Sequence, residues 1–299
     1  MSAHKSEKKK KGKGKGKEDK PVLPPPGPAP KFALKDRAHG PDWSAWDIND
    51  NSFKKTKGKG FKQGDFAFMK LTDGEIDDAQ EVSDVWVFKK EADIRAEQWM
   101  FVKDAEIRGA FHYMRSGQPW QAQADHFLQV VEKEGYDFHI YALDVEGKNN
   151  TFSDEFFADA RRIIDHWRVQ KPPKMVMLYC NPSTFDDHIH PKIQELFPVD
   201  GLKWIENVPL WLAQYDPEDK FPTGEAEPKT PKNGTNWDIW QYSQVGARDK
   251  AEYQARMLEA GLPDLSLSVD FYGARDLNVF RGSKEAMREW LGISSEPQG

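Results

Sequence analysis

The sequence predicts an α/β protein built as a closed barrel. Eight short apolar runs of strand length follow one another from Asp42 onward, amphipathic stretches of helix length lie between most of them, and polar or aromatic residues recur where the runs end. An open doubly wound sheet is the alternative. Its Gly-rich phosphate turn is missing, because the Lys–Gly alternation of residues 11–17 has no strand before it.

Residues 1–20 are mostly Lys and Gly, nearly lack apolar side chains and are expected to stay disordered. Pro21 to Pro30 holds six prolines in ten residues, the composition of an extended, semi-rigid spacer. Residues 1–37 are thus assigned to an arm and 38–299 to the barrel. The arm reads either as a tether that docks on a larger assembly or as a solubilising tail with no fixed partner.

Strands are predicted at Asp42–Ile48, Asp65–Leu71, Gly109–Met114, His139–Val145, Met175–Cys180, Pro209–Tyr215, Asp238–Tyr242 and Leu265–Phe271. Helices are predicted near Trp86–Ile107, Pro119–Glu134, Ser153–Val169, Pro191–Phe197, Ala251–Ala260 and Lys284–Leu291. The third shows the clearest periodicity, with Phe156, Phe157, Ala160, Ile163, Ile164 and Trp167 on one face and Ser153-Asp154-Glu155 as its N-terminal cap. Asp216–Asn236 is rich in Pro, Gly and charge, so helical alternation is expected to fail there.

Charge divides the chain. Residues 1–40 carry a net +8 and the remainder about −14, so the body offers no basic footprint for nucleic acid. Cys180 is the only cysteine, which allows no intrachain disulfide. The Lys-rich start is followed by no apolar segment, so no secretory signal is expected, and no apolar stretch approaches the ~20 residues needed to span a bilayer.

The chemistry concentrates in Ile140-Tyr141-Ala142-Leu143-Asp144-Val145-Glu146-Gly147, an apolar run ending in two carboxylates one residue apart. On a strand Asp144 and Glu146 point the same way, and their mutual repulsion raises the proton affinity of one of them. That supplies an acid and a base from one residue type, as glycoside hydrolysis requires. By itself the pair also fits a solvated strand end. The other run ends add Asp42, Asp73, His112, Tyr113, Tyr179, Trp211, Tyr215, Gln241, Asp276 and Asn278, a set suited to a polyol with aromatic faces for sugar rings.

Seven motifs in order resemble one family. They are Gly40-Pro41-Asp42-Trp43-Ser44, Phe66-Ala67-Phe68-Met69-Lys70 with Asp73-Gly74, Arg108 to Tyr113, Leu143-Asp144-Val145-Glu146, Leu210 to Tyr215, Trp240-Gln241-Tyr242-Ser243, and Asp276 to Gly282. Together they resemble family 25 of the glycoside hydrolases, the Chalaropsis-type N-acetylmuramidases, over roughly residues 38–292. The resemblance implies a TIM-like barrel of the (β/α)5(β)3 type and cleavage of the β-1,4 bond between N-acetylmuramic acid and N-acetylglucosamine in peptidoglycan. It also implies that Glu146 is the general acid/base and that Asp144 orients and charge-stabilises the substrate's 2-acetamido group. Asp42 and Asp276 would complete the acidic floor, and Tyr113, Tyr179, Trp211, Tyr215, Gln241 and Asn278 would bind sugar. No metal or organic cofactor is expected.

Some positions depart from that pattern or read two ways. Asp73 stands where many relatives carry Glu. Val269-Asp270 also reads as a strand ending in Asp, and only the Leu-Asn-x-Phe-x-Gly run after Asp276 selects Asp276. His112 reads as a hydrogen-bonded core residue, and His188 and His190 as a loop pair. Tyr113 and Tyr179 taken alone fit ordinary half-buried strand positions. A chitinase-like reading fails on Ala142 and His139, which stand where that barrel's longer acidic motif carries aspartates. The rival function is a wall-binding or structural protein on a muramidase barrel. The expected partners are peptidoglycan strands and, through the arm, a phage tail or contractile injection particle, with release as an endolysin the other route to the wall.

Overall fold

The computed structural model describes residues 32–44, 65–75, 91–171, 174–216, 221–232, 236–243 and 276–293, together with 255, 258 and 259. Eight strands close into one barrel: β1 His39–Trp43, β2 Phe66–Asp73, β3 Ile107–Tyr113, β4 Ile140–Asp144, β5 Met175–Cys180, β6 Leu210–Ala213, β7 Ile239–Ser243 and β8 Asp276–Phe280. Strands β1 to β7 are parallel to their sequence neighbours. The eighth strand is not: β8 runs antiparallel to both β7 and β1. The last predicted strand, Leu265–Phe271, lies outside the described residues, and the strand that closes the barrel starts instead at Asp276.

The helices are α1 Glu91–Val102, α2 Trp120–Glu134, α3 Asp154–Gln170, α4 His190–Leu196, α5 Gly201–Asn207 and α6 Lys284–Trp290. A turn at Pro182–Thr184 and a π-helical turn at Phe185–Ile189 lead into α4. The Ser153 side chain accepts a bond from Phe156 N–H and starts α3 where its cap predicts. Helix α5 was not among the predicted helices. The described part of Asp216–Asn236 contains no helix, as its composition predicts. The Ala251–Ala260 helix falls almost wholly outside the described residues.

Strand alternation sorts the apolar side chains into two layers. Trp43, Met69, Ala110, Tyr141, Leu143, Leu178 and Leu212 face outward against Phe127, Ile163, Ile164 and Trp167 of the helices. Phe66, Phe68, Phe111, Ala142, Met177, Trp211 and Phe280 fill the barrel. Gly109 makes room for this filling: a Cβ there would stand 2.1 Å from the Phe68 ring. At the mouth where β1 to β7 begin and β8 ends, Asp238 accepts a bond from Leu210 N–H and pairs with Arg281 at 3.4 Å; burial pushes its carboxyl up to about 6. Leu34 to Arg37, assigned by sequence to the arm, pack on the barrel. Leu34 is buried and its N–H donates to Gly224 O, while Arg37 pairs with Glu227.

Candidate active site

The interior layer changes character at the other mouth. Continuing the inward alternation of Ile140 and Ala142, Asp144 is the next inward position of β4, and Glu146 follows two residues on. Asp144 sits in register with Tyr113 on one side and Tyr179 on the other. The reversal of β8 completes the set: Asp276, its first residue, is the register partner of Asp42 near the end of β1. Asp276 starts its strand, and it reaches this rim because β8 enters where β1 to β7 leave. The structure therefore brings Asp42, Asp144, Glu146 and Asp276 to one mouth.

Burial and charge act on these groups together. Asp144 is 5 % exposed and its Oδ1 is buried with no hydrogen-bond partner among the described residues. Desolvation, then the charge of Glu146, raises its carboxyl well above the usual range, against the opposing pull of Lys70. Glu146 is raised too, again chiefly by burial and against Lys148 and Lys70. Of the pair, Glu146 alone is partly open to solvent. The phenols of Tyr113, Tyr179 and Tyr215 are also raised, first by burial and then by surrounding carboxylates.

Asp42 is held from below. Gln241 Nε2 and Asn278 Nδ2 both donate to its Oδ2 at 2.7 Å. Gln241 Oε1 in turn accepts from the hydroxyls of Tyr179, at 2.7 Å, and Tyr215. Trp211 Nε1 donates to Asn278 Oδ1 at 2.8 Å. Trp211, Gln241 and Asn278 are 1 %, 3 % and 0 % exposed, so these three predicted sugar contacts are a buried chain that fixes Asp42. Trp211 lies a layer too deep, packed between Phe68 and Tyr179. Sequence marks such a residue as aromatic at a strand end; only register tells depth.

The partners of Asp73, and Asn150, escaped the sequence reading. Asp73 takes a bidentate pair from Arg115 and a further bond from Lys70, and both cations stand over the Tyr113 ring, at 4.6 and 4.8 Å. The shorter acid in place of Glu thus anchors two cations beside the carboxylates; the signal was Arg115 two residues after Tyr113. The side chain of Asn150 joins two rim loops. His112 accepts from Thr72 Oγ1 at 2.7 Å, reaches Gln123 Oε1 at 3.3 Å and is lowered to about 3 by burial, the state of a neutral core histidine. His188 is exposed and stacks on Phe157.

Carboxylates gathered at one mouth of an eight-stranded barrel can supply the acid and base that barrel glycoside hydrolases use. The family model for glycosyl hydrolases family 25 matches residues 41–250, and the chain belongs to that family. Comparison with curated proteins gave no match. Among solved structures the chain is similar to the catalytic domain of endolysin ply40 from bacteriophage P40 of Listeria monocytogenes: 19% identity, TM-score 0.50, covering 86% of this chain and 98% of that one. It is also similar to GHIP, a glycosyl hydrolase 25 of Streptococcus pneumoniae, at 16% identity and TM-score 0.47 over 84% and 91% of the two chains. The first of these likenesses speaks for the fold.

Proposed function

We propose that the chain is an endo-N-acetylmuramidase that hydrolyses the β-1,4 bond between N-acetylmuramic acid and N-acetylglucosamine with retention at the anomeric carbon. The observation that carries this reading is the Asp144–Glu146 pair on β4, both held above the ordinary carboxylate range, facing Asp42 and Asp276 across one mouth. Glu146, protonated and open, donates to the glycosidic oxygen as the bond breaks. Asp144 orients the 2-acetamido group and stabilises charge on it, so that its carbonyl oxygen attacks the anomeric carbon from the opposite face. Glu146, now a carboxylate, takes a proton from the water that opens the resulting ring, returning the sugar with its original configuration.

Mass spectrometry of fragments released from purified cell wall tests this directly. The expected products end in reducing N-acetylmuramic acid. Fragments ending in reducing N-acetylglucosamine, or binding to the wall with no release, would overturn the reading, the second outcome in favour of a wall-binding protein.

The reading extends to delivery. The enzyme reaches the wall on a phage tail or contractile injection particle, with the basic, proline-rich residues 1–31 as the tether; release as an endolysin is the other route. Deleting residues 1–31 is expected to leave hydrolysis within about twofold and to abolish co-purification with the carrier. Full recovery of the truncated form on the carrier would refute the tether.

A further inference from the structure

Glu146 lies beyond the end of β4, where no strand ladder holds it. Something else must fix its backbone, since a general acid displaced by about 1 Å can lose on the order of a hundredfold in rate. The segment after Glu146 turns back on itself. Asn149 has φ 63°, the one non-glycine with positive φ among the described residues, and Asn150 N–H donates to Gly147 O at 3.2 Å. Asn tolerates this left-handed conformation better than most residues.

The turn delivers the Asn150 side chain back against Glu146. Its Nδ2 donates at 2.9 Å to both Glu146 O and Met114 O, and its Oδ1 accepts from Ser116 N–H at 2.8 Å. The bonds to Met114 and Ser116 join the loop after β4 to the loop after β3, and the bond to Glu146 closes the β4 loop on itself. Two further bonds cross the same seam: Thr151 N–H to Ser116 Oγ at 3.0 Å, and Tyr113 O–H to Lys148 O. Met114 N–H bonds Asp144 O at 3.1 Å, so the seam continues the β3–β4 ladder past its last residue. The amide uses one acceptor and two donor positions, a demand that neither Asp nor Ser can meet.

We propose that Asn150 is a positioning residue for Glu146, its carboxamide replacing the missing strand ladder and holding the Glu146 backbone at a fixed height over the mouth. The inference rests on Glu146 being the acid/base. The charged and titratable groups around that carboxyl are Asp144 on β4, Lys148 in its own loop, Lys70 on β2, Tyr113 on β3, Tyr179 and Cys180 on β5 and Tyr215 after β6. Asn150 carries no charge and acts on Glu146 only through geometry and solvent exclusion.

Steady-state kinetics of the full chain on soluble peptidoglycan fragments, across pH, test it with Asn150→Ala and Asn150→Asp. Both are expected to lower kcat about 10- to 100-fold with KM within about twofold. Letting water reach Glu146 lowers its proton affinity, so the alkaline limb of the rate profile should move to lower pH by about half a unit in Asn150→Ala. Should Asn150→Ala fail to fold, Asn150→Asp keeps the volume and the bond from Ser116 while losing both donors, and it carries the test. A kcat near that of the parent with a superimposable pH profile in a folded variant would overturn the proposal, as would a loss of folded protein with kcat per active molecule unchanged. Glu146→Gln run in parallel separates the two readings: if that variant stays active the acid/base assignment fails, whereas an inactive Glu146→Gln beside a fully active Asn150→Ala defeats only the role of Asn150.

Discussion

Glu146→Gln is expected to give a folded barrel whose kcat on cell wall is about a thousandfold lower. The substitution keeps the side-chain volume and removes only the exchangeable proton. Two conditions make its effect large. Burial raises the Glu146 carboxyl, which favours its proton-carrying form, and the buried Asp144 beneath it opposes a second negative charge at the same place. Among the described residues the neighbouring groups are poorly placed to substitute. Asp144 is too deep, Asp42 is tied to Gln241 and Asn278, and the tyrosine hydroxyls are raised further from neutrality than in solution. The same variant should unfold at a midpoint no lower than the parent, because it replaces a carboxyl that is partly charged at a cost. Loss of turbidity from a wall suspension measures the rate and circular dichroism the fold. A variant keeping more than a tenth of the parent rate would remove Glu146 from the chemistry.

Why this residue could be picked from the chain, and others could not, follows from what a strand pattern encodes. Strand β5, Met175–Cys180, was placed to the residue, since a six-residue apolar run between a helix and a turn admits little else. Strand β1 was set three residues late because Gly40-Pro41 reads as a breaker. In the barrel Gly40 is required for another reason: a Cβ there would meet Phe66 O at 2.0 Å. Strand β8 was missed because its inward residues, Asp276 and Asn278, are polar and its outward residues, Leu277 and Val279, face the outer core layer. A polar interior inverts the usual cue, and it does so where the site lies.

The site was legible only in its residue types. Sequence order names Trp211, Gln241 and Asn278 as polar or aromatic groups near strand ends, but depth along the barrel axis depends on the stagger between strands, which no single strand records. Trp211 is buried against the Phe68 and Tyr179 rings, out of reach of the rim. Likewise Asn150 is an ordinary loop residue until Met114 and Ser116 are brought beside it from a segment about 35 positions earlier.

Asp144→Asn is expected to move activity and stability in opposite directions. The Asp144 carboxyl is raised in the folded protein above its value in the unfolded chain, about 3.9. Between those two values the native state binds more protons than the unfolded state, so stability falls as pH rises through this window. At pH 7 the group is a net cost, because desolvation exceeds the help from Lys70 and an oxygen is left without a partner. The amide removes that cost. A gain of about 1 kcal/mol at pH 7 would lift Tm by roughly 2–4 °C, and the gain should vanish below pH ~4, where both states of the parent are protonated. Activity should fall about a hundredfold or more, since an amide cannot stabilise the charge that develops on the acetamido group. Its alkaline limb should also shift to lower pH, because Glu146 no longer shares its site with a second carboxyl. Calorimetry from pH 4 to 8 and initial rates over the same range provide both readouts. A lower Tm at pH 7 would mean that Asp144 is an ionised anchor of the barrel mouth, and an unchanged kcat would place the charge-stabilising group elsewhere among Asp42 and Asp276.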